Sequence, residues 1–168
     1  MKSLILIWSI FSILILAWAT FAVTLVRADE LDWDALIPAI IQVESSGNPY
    51  AISEDGCVGL MQVSPIVLKE FNKEHEIHVK DFGKVHTSYF NIGEMYEGGK
   101  NTRVGTWYLH RLKDHYLKEN YTLERLIAAY NCGPTKLRKV NYGISKCPAE
   151  TRKYIKKVLR IYEKTKTN

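Results

Sequence analysis

The sequence lacks the features that define several large functional classes. No stretch alternates apolar and polar residues for long enough to make a persuasive β-strand, and there is no internal repeat or low-complexity tract. That argues against β-sandwiches, barrels and solenoids. No nucleotide, phosphate-loop or haem motif is present. His75 and His78 lie three apart, and His110 and His115 five apart, but neither pair has a convincing set of further ligands. They read as surface histidines, and neither a metal nor a cofactor is expected. Cysteine is scarce. Cys57, Cys132 and Cys147 allow one disulfide and one leftover thiol, and the sequence does not choose the pair.

What is present suits one core-forming domain. Of 168 residues, 46% are hydrophobic and 24% charged. Ser3 to Val26 carries no charge and is mostly Leu, Ile, Trp, Phe and Ala. With no polar face, it reads as an export signal or an uncleaved membrane anchor. Small residues for signal cleavage stand at Val26-Arg27-Ala28, before Asp29, and at Ala17-Trp18-Ala19. Residues 1–28 are therefore assigned to signal peptide or anchor, and residues 29–168 to the exported domain. In either case the domain leaves the cytoplasm for the periplasm or cell envelope.

The net charge of +5 conceals a strong asymmetry. Gly133 to Asn168 holds 11 Lys/Arg against 2 Asp/Glu, whereas Asp29 to Cys132 holds 10 against 16. The basic end is either a solvated helix face or a surface for an acidic polymer or membrane. No recognised nucleic-acid motif accompanies it.

The apolar spacing is helical almost throughout. Leu36, Ala39, Ile40 and Val43 form one stripe. Asp34 is placed as the cap of that helix, with Pro38 in its first turn. Glu44 follows directly and Gly47 ends the helix. The loop from Ser45 to Gly59 is rich in turn residues. A helix is expected over residues 65–75, while residues 76–100 resist assignment. Gly105, Tyr108, Leu109 and Leu112 line a further helix. Leu123, Leu126, Ile127 and Tyr130 line the next, stopped by Gly133-Pro134. Tyr154, Ile155, Val158, Leu159 and Tyr162 line the last. The expected fold is all-α with five to seven helices, α+β at most through a small hairpin within 45–63.

Glu44 is the candidate for chemistry. An apolar helix face beside it would partly desolvate its carboxyl group, and desolvation raises a carboxyl pKa toward what a general acid needs. Ser53 and Gln62 are neutral hydrogen-bonding groups suited to hydroxyls and acetamides. On these grounds alone, a glutamate at a helix C-terminus is more often a solvated surface residue.

The longer pattern carries more. Glu44-Ser45-Ser46-Gly47-Asn48-Pro49, then Ala51, Ser53, Gly56 and Gly59-Leu60-Met61-Gln62, resembles the signature of the soluble lytic transglycosylase family, relatives of goose-type lysozyme. Three later stretches agree in order. They are Asn101, Gly105, Tyr108 and Leu109; then Ala128 to Pro134 (Ala-Ala-Tyr-Asn-Cys-Gly-Pro); then Pro148, Glu150, Thr151 and Tyr154. The resemblance covers about Leu31 to Tyr162.

The resemblance implies a lysozyme-like domain that cuts peptidoglycan between N-acetylmuramic acid and N-acetylglucosamine. Glu44 would protonate the glycosidic oxygen. The substrate's own acetamide would stabilise the anomeric carbon, so no second catalytic carboxylate is needed. Glu44 would then act as base on the muramic C6 hydroxyl, leaving a 1,6-anhydro end. Tyr130 would orient Glu44 or the acetamide. Ser53, Gln62 and Asn131 would bind sugar groups, and Met61 would line the cleft. Met61 also reads as a core residue, and Asn131 as a cap of the helix ending at Gly133.

Two other readings remain. One is a hydrolytic lysozyme with Asp55 as base. The other is a non-catalytic wall-binding component of a secretion, conjugation or phage apparatus. Glu54, Asp55 and Glu150 are expected to be exposed or structural. Cys57 and Cys132 stand where the family has small residues, and read as buried small apolar groups or as a disulfide. Glu97-Gly98 replaces the family's Asp-Pro, and the stretch from Gln62 to Asn101 is longer than usual.

Overall fold

In the computed structural model the chain divides at Asp32, and Trp33–Asn168 forms a compact unit of its own. The structure describes residues 31–81 and 90–167, with side chains from 76 to 81 excepted. The apolar segment assigned to export or anchoring lies outside the described residues. Among the described residues, no helix is long and apolar enough to cross a membrane.

The Trp33–Asn168 unit is helical, as expected. Its α-helices are α1 (Trp33–Ser45), α2 (Pro65–Asp81), α3 (Gly98–Arg111), α4 (Leu123–Cys132), α5 (Pro134–Lys139) and α6 (Ala149–Lys166). Short 3-10 turns at Ile92–Tyr96, Lys118–Asn120 and Ile144–Lys146 join them. A six-residue π-helical segment, Leu112–Leu117, continues α3. There it keeps both Leu112 and Leu117 in the core.

α1 starts earlier than its sequence suggests. Asp34 lies in the first turn rather than at the cap, and Pro38 falls inside the helix rather than in that turn. Proline there forfeits one backbone hydrogen bond. The burial of Ala35, Leu36, Ala39 and Ile40 holds the helix regardless. Fully burying each large apolar side chain contributes about 1.5–3 kcal/mol.

α6 is the central strut. It packs against both α1 and α4, burying Thr151, Tyr154, Ile155, Val158 and Tyr162. A second cluster gathers Val58, Val63, Leu68, Phe71, Phe90, Met95 and Val104. Phe71 stacks on Phe90 at 5.6 Å and meets Trp107 edge-on at 5.3 Å. α2 runs to Asp81, beyond the expected end at 75. The region that resisted assignment contains the Ile92–Tyr96 turn, opened by a reciprocal capping box between Asn91 and Glu94.

The expected hairpin shrinks to two antiparallel bridges, Ile52 with Val58 and Val58 with Val63. Tight turns at Gly56 and Gly59 leave too few residues between bridges for a ladder to extend.

Candidate active site

Glu44 is the penultimate residue of α1. Ser46 (φ 53°) and Gly47 (φ 80°) then turn the chain sharply away. Ser45 fixes this turn. Its Oγ lies 2.8 Å from the Leu60 carbonyl oxygen and accepts from Gly47 N at 3.2 Å. The helix end is thereby tied to the far side of the loop, and Glu44 is half-buried between them.

Two influences act on the Glu44 carboxyl group. Burial pushes its pKa above the usual carboxylate range, and the Tyr154 hydroxyl, donating to Oε1 at 2.6 Å, pulls partly back. The net shift is upward. Tyr154 is itself held well above the ordinary phenol range, first by burial and then by the Glu44 charge. It therefore stays protonated and remains a donor.

Of the two roles expected of Tyr130, orienting Glu44 or the substrate acetamide, the hydrogen bond to Glu44 is made by Tyr154 instead. The Tyr130 hydroxyl donates to the Met61 carbonyl oxygen at 2.8 Å. It stands near enough for the Glu44 charge, after burial, to raise its pKa further. Sequence reasoning missed Tyr154 because it falls on the apolar stripe of α6, where a tyrosine reads as core. The signal that could have found it is its place in the closing Pro148–Tyr154 element.

Met61 does not line a cleft. It is 0% exposed, and its side chain lies against Gly105 of α3, where an added Cβ would come within 2.5 Å of its sulfur. The core alternative holds because the loop drives this residue inward. Met61 N donates to Asn101 Oδ1 at 2.8 Å, while its carbonyl accepts from Tyr130.

Asn101, fully buried, organises the loop. Its Nδ2 also donates to Val58 O at 2.7 Å and Met95 O at 2.8 Å. Gly59 lies directly on it: a Cβ there would sit 2.2 Å from Asn101 Nδ2 and 2.3 Å from Met95 O. The distant glycine and asparagine of the sequence pattern are thus two halves of one contact.

Gln62 adopts φ 48° and gives both amide hydrogens to backbone carbonyls, Ala51 O and Gly59 O, each at 3.1 Å. Because both partners are acceptors, its NH2 is committed and its Oε1 is left as the group to face a ligand. Ser53 accepts from Cys57 N at 3.0 Å, and its hydroxyl also bonds the Cys57 thiol. Asn131 is half-buried in the last turn of α4, and its side chain has no hydrogen bond among the described residues. The cap position belongs to Gly133, at φ 82°.

The three acids weighed from the sequence as partners of Glu44, namely Glu54, Asp55 and Glu150, are all exposed. Cys57, Cys132 and Cys147 are free thiols. Burial and the nearby Glu44 and Asp55 charges push the Cys57 thiol up, against a hydrogen bond with Ser53, so it is no ready nucleophile. The arrangement supplies one carboxyl group with a raised pKa, a phenol that orients it, and neutral hydrogen-bonding side chains, Ser53 and Gln62, on the chain that follows it. That is equipment for proton transfer to a polar, uncharged substrate.

The profile of the transglycosylase SLT domain matches residues 27–143. Membrane-bound lytic murein transglycosylase C of Pectobacterium atrosepticum is 37% identical over 111 residues, covering 64% of this chain and 29% of that protein. Membrane-bound lytic murein transglycosylase E of Buchnera aphidicola is 32% identical over 125 residues, 73% of this chain and 52% of its own length. This chain therefore spans about half or less of the curated relatives it matches. Among solved structures, the 70 kDa soluble lytic transglycosylase of Escherichia coli superposes with a TM-score of 0.58 at 27% identity, over 81% of this chain and 22% of that one. An inactive glutamate-to-glutamine mutant of the Pseudomonas aeruginosa lytic transglycosylase superposes at 0.54 with 25% identity, over 76% and 20%.

Proposed function

Since the chain belongs to the transglycosylase SLT domain family, we propose that it is a peptidoglycan lytic transglycosylase with Glu44 as its acid and base. The observation that carries the reading is the half-buried Glu44, its pKa raised by burial and its Oε1 held by Tyr154. A raised pKa keeps a proton available near neutral pH, and the hydrogen bond fixes the direction in which it is delivered.

In the proposed reaction, Glu44 gives its proton to the oxygen linking N-acetylmuramic acid to N-acetylglucosamine, and the C1–O bond breaks. The substrate's acetamide oxygen shares the charge left at C1, the role a second carboxylate plays in other glycosidases. The Glu44 carboxylate then takes the proton of the muramic C6 hydroxyl as that oxygen bonds to C1. The enzyme returns to its protonated state, the product carries a 1,6-anhydro ring, and no water is consumed. A hydrolytic reading needs a base roughly 6.5–9.5 Å from the acid in an inverting glycosidase, and the two nearest acids in sequence, Glu54 and Asp55, are exposed. Gln62 Oε1, the Ser53 hydroxyl and Asn131 are the proposed contacts to sugar hydroxyls and acetamides.

Mass spectrometry of digested peptidoglycan tests the reaction. Anhydro-ended fragments, one water lighter than hydrolytic ones, are expected, and reducing ends formed with water would overturn it in favour of a lysozyme. Glu44→Gln should lower turnover by about 10²–10⁴-fold. A variant that still clears cell wall would remove Glu44 from the mechanism and leave wall binding as the function. The relatives' names as membrane-bound murein enzymes support a place in the cell envelope, with residues 1–28 as signal or anchor. Fractionation of cells expressing the full chain tests that placement. Service to a secretion, conjugation or phage apparatus is the finer reading, to be tested by co-purification from the envelope.

A further inference from the structure

Three thiols stand outside the chemistry of Glu44, and the fold sorts them. Cys57 sits in the loop after α1, where its sulfur meets the Ser53 hydroxyl and the charges of Glu44 and Asp55. Cys132 and Cys147 share a different place. Cys132 is the last residue of α4. Cys147 closes the turn Ile144–Lys146, immediately before Pro148 caps α6. α4 packs along α6 and also against that turn. Thr151, buried in the first turn of α6, hydrogen-bonds the Cys132 sulfur. Cys147 lies one helical turn's worth of chain before Thr151, so the two cysteines meet at one seam where the end of α4 crosses the start of α6.

Their surroundings give them different parts. Burial pushes the Cys132 thiol up and the Cys147 charge adds to this, while Thr151 and the Lys136 charge pull it back. Cys132 is half-buried, whereas Cys147 is 2% exposed. An incoming reagent therefore meets Cys132 first, with the Lys136 ammonium nearby to favour the thiolate that reacts.

We propose that Cys132 and Cys147 are joined as a disulfide in the exported protein, by exchange with a disulfide-bearing donor protein of the envelope, and that Cys57 stays a thiol. The Cys132 thiolate attacks one donor sulfur, a mixed disulfide forms, and one donor thiolate leaves. Cys147, as thiolate, then attacks the Cys132 sulfur, and the second donor thiolate leaves. The two cysteines lose two electrons and two protons, and the donor disulfide becomes a dithiol. The bond fastens the end of the helix that carries Tyr130 to the start of the helix that carries Tyr154. It rests on the reading of residues 29–168 as exported, because the cytosol keeps thiols reduced.

The full chain, expressed in cells and alkylated at lysis, is mapped by mass spectrometry of non-reduced peptides. Cys132 should be linked to Cys147, and Cys57 alkylated. The purified chain, titrated in glutathione buffers, should close the same pair. Its melting temperature should rise by about 5–15 °C on oxidation and fall back with dithiothreitol. Cys57→Ser should show the same rise. Cys147→Ser should show none, and should leave Cys132 as a mixed disulfide with glutathione. A bond that includes Cys57 overturns the proposal. So do Cys132 and Cys147 that stay reduced in the purified chain, or in protein recovered from the envelope. A chain recovered reduced from the cytoplasm, whose purified form closes the Cys132–Cys147 bond, supports the pairing and overturns the export reading instead, so the two failures are told apart.

Discussion

Tyr154 donates its hydroxyl hydrogen to Glu44 Oε1 at 2.6 Å, joining the strut helix α6 to the end of α1 across 110 positions of sequence. The bond opposes the desolvation of Glu44 without cancelling it. A group that must give up a proton and then take one back needs a pKa near the working pH, and the two influences adjust it from opposite sides. Because Tyr154 is pushed well above its ordinary value, it serves as a fixed donor through both halves of such a cycle.

Tyr154→Phe removes the influence that lowers the Glu44 pKa and leaves the one that raises it. Glu44 then keeps its proton to higher pH. The alkaline limb of the kcat/KM profile, where a general acid is lost by ionisation, should move upward. kcat should fall about tenfold through lost orientation, with KM little changed, as expected for one hydrogen bond to a charged group. A pH–rate series on both proteins checks this, and a limb that stays fixed or moves down counts against it.

The raised pKa also predicts how stability varies with pH. The folded state holds the Glu44 proton more tightly than the unfolded chain does. Between the unfolded pKa and the higher folded one, the native state therefore binds more protons, and stability falls as pH rises. Above that window the full cost of an ionised, half-buried carboxylate is present. Glu44→Gln should accordingly melt at the same temperature as wild type, or slightly below it, in acid, and a few degrees above it at neutral pH. Thermal unfolding of both proteins from pH 4 to 8 measures the difference, and a constant offset would remove the linkage to Glu44.

The helices, and the place of Glu44 at a helix end, were legible because burial on one face leaves a 3.6-residue period that local sequence records. Contacts across the chain leave no such period. Tyr154 and Met61 are the instructive pair. Both are large, partly apolar residues, and nothing local says which turns to the site and which to the core. Met61 goes inward because Asn101, forty positions away, accepts its backbone N–H. Tyr154 reaches Glu44 because α6 packs on α1. Sequence pattern named Asn101 and Gly105 as members of a motif without saying what they touch. How far the hairpin within 45–63 extends was not legible, because glycines at positive φ mark turns without reporting whether strands extend from them.

Gly59 and Gly56 separate conformational cost from steric cost. Both have positive φ, 80° and 76°. At Gly56 an added Cβ meets nothing within 4 Å, whereas at Gly59 it strikes Asn101 and the Met95 carbonyl. Gly56→Ala should cost about 1–2 kcal/mol, the price of left-handed backbone for an L-residue. Gly59→Ala should cost more, about 3 kcal/mol or above, because it also displaces the buried amide that satisfies Val58 O and Met95 O. Urea unfolding of the two variants decides it, and equal losses would mean that the Asn101 contact yields easily.

Gly105 and Met61 offer a test by coupling. Alanine is the better helix former by about 1 kcal/mol, so a glycine inside α3 needs a reason. A Cβ at Gly105 would lie 2.5 Å from Met61 Sδ and 2.9 Å from its Cβ and Cε. The sulfur end could swing away, but Cβ is fixed to a backbone pinned at both sides by Asn101 and Tyr130. Gly105→Ala should therefore destabilise by about 1–3 kcal/mol through overpacking. It should also reduce turnover, since pushing Met61 outward disturbs the carbonyl that holds Tyr130 beside Glu44. Met61→Ala alone should cost about 2–5 kcal/mol as a cavity. Met61→Ala removes the contacts with Sδ and Cε but keeps the one with Cβ at 2.9 Å. The double variant should therefore lose less than the sum of the two single losses, a coupling of about 0.5–3 kcal/mol. Strictly additive losses in a urea double-mutant cycle would mean that the glycine is kept for something other than Met61.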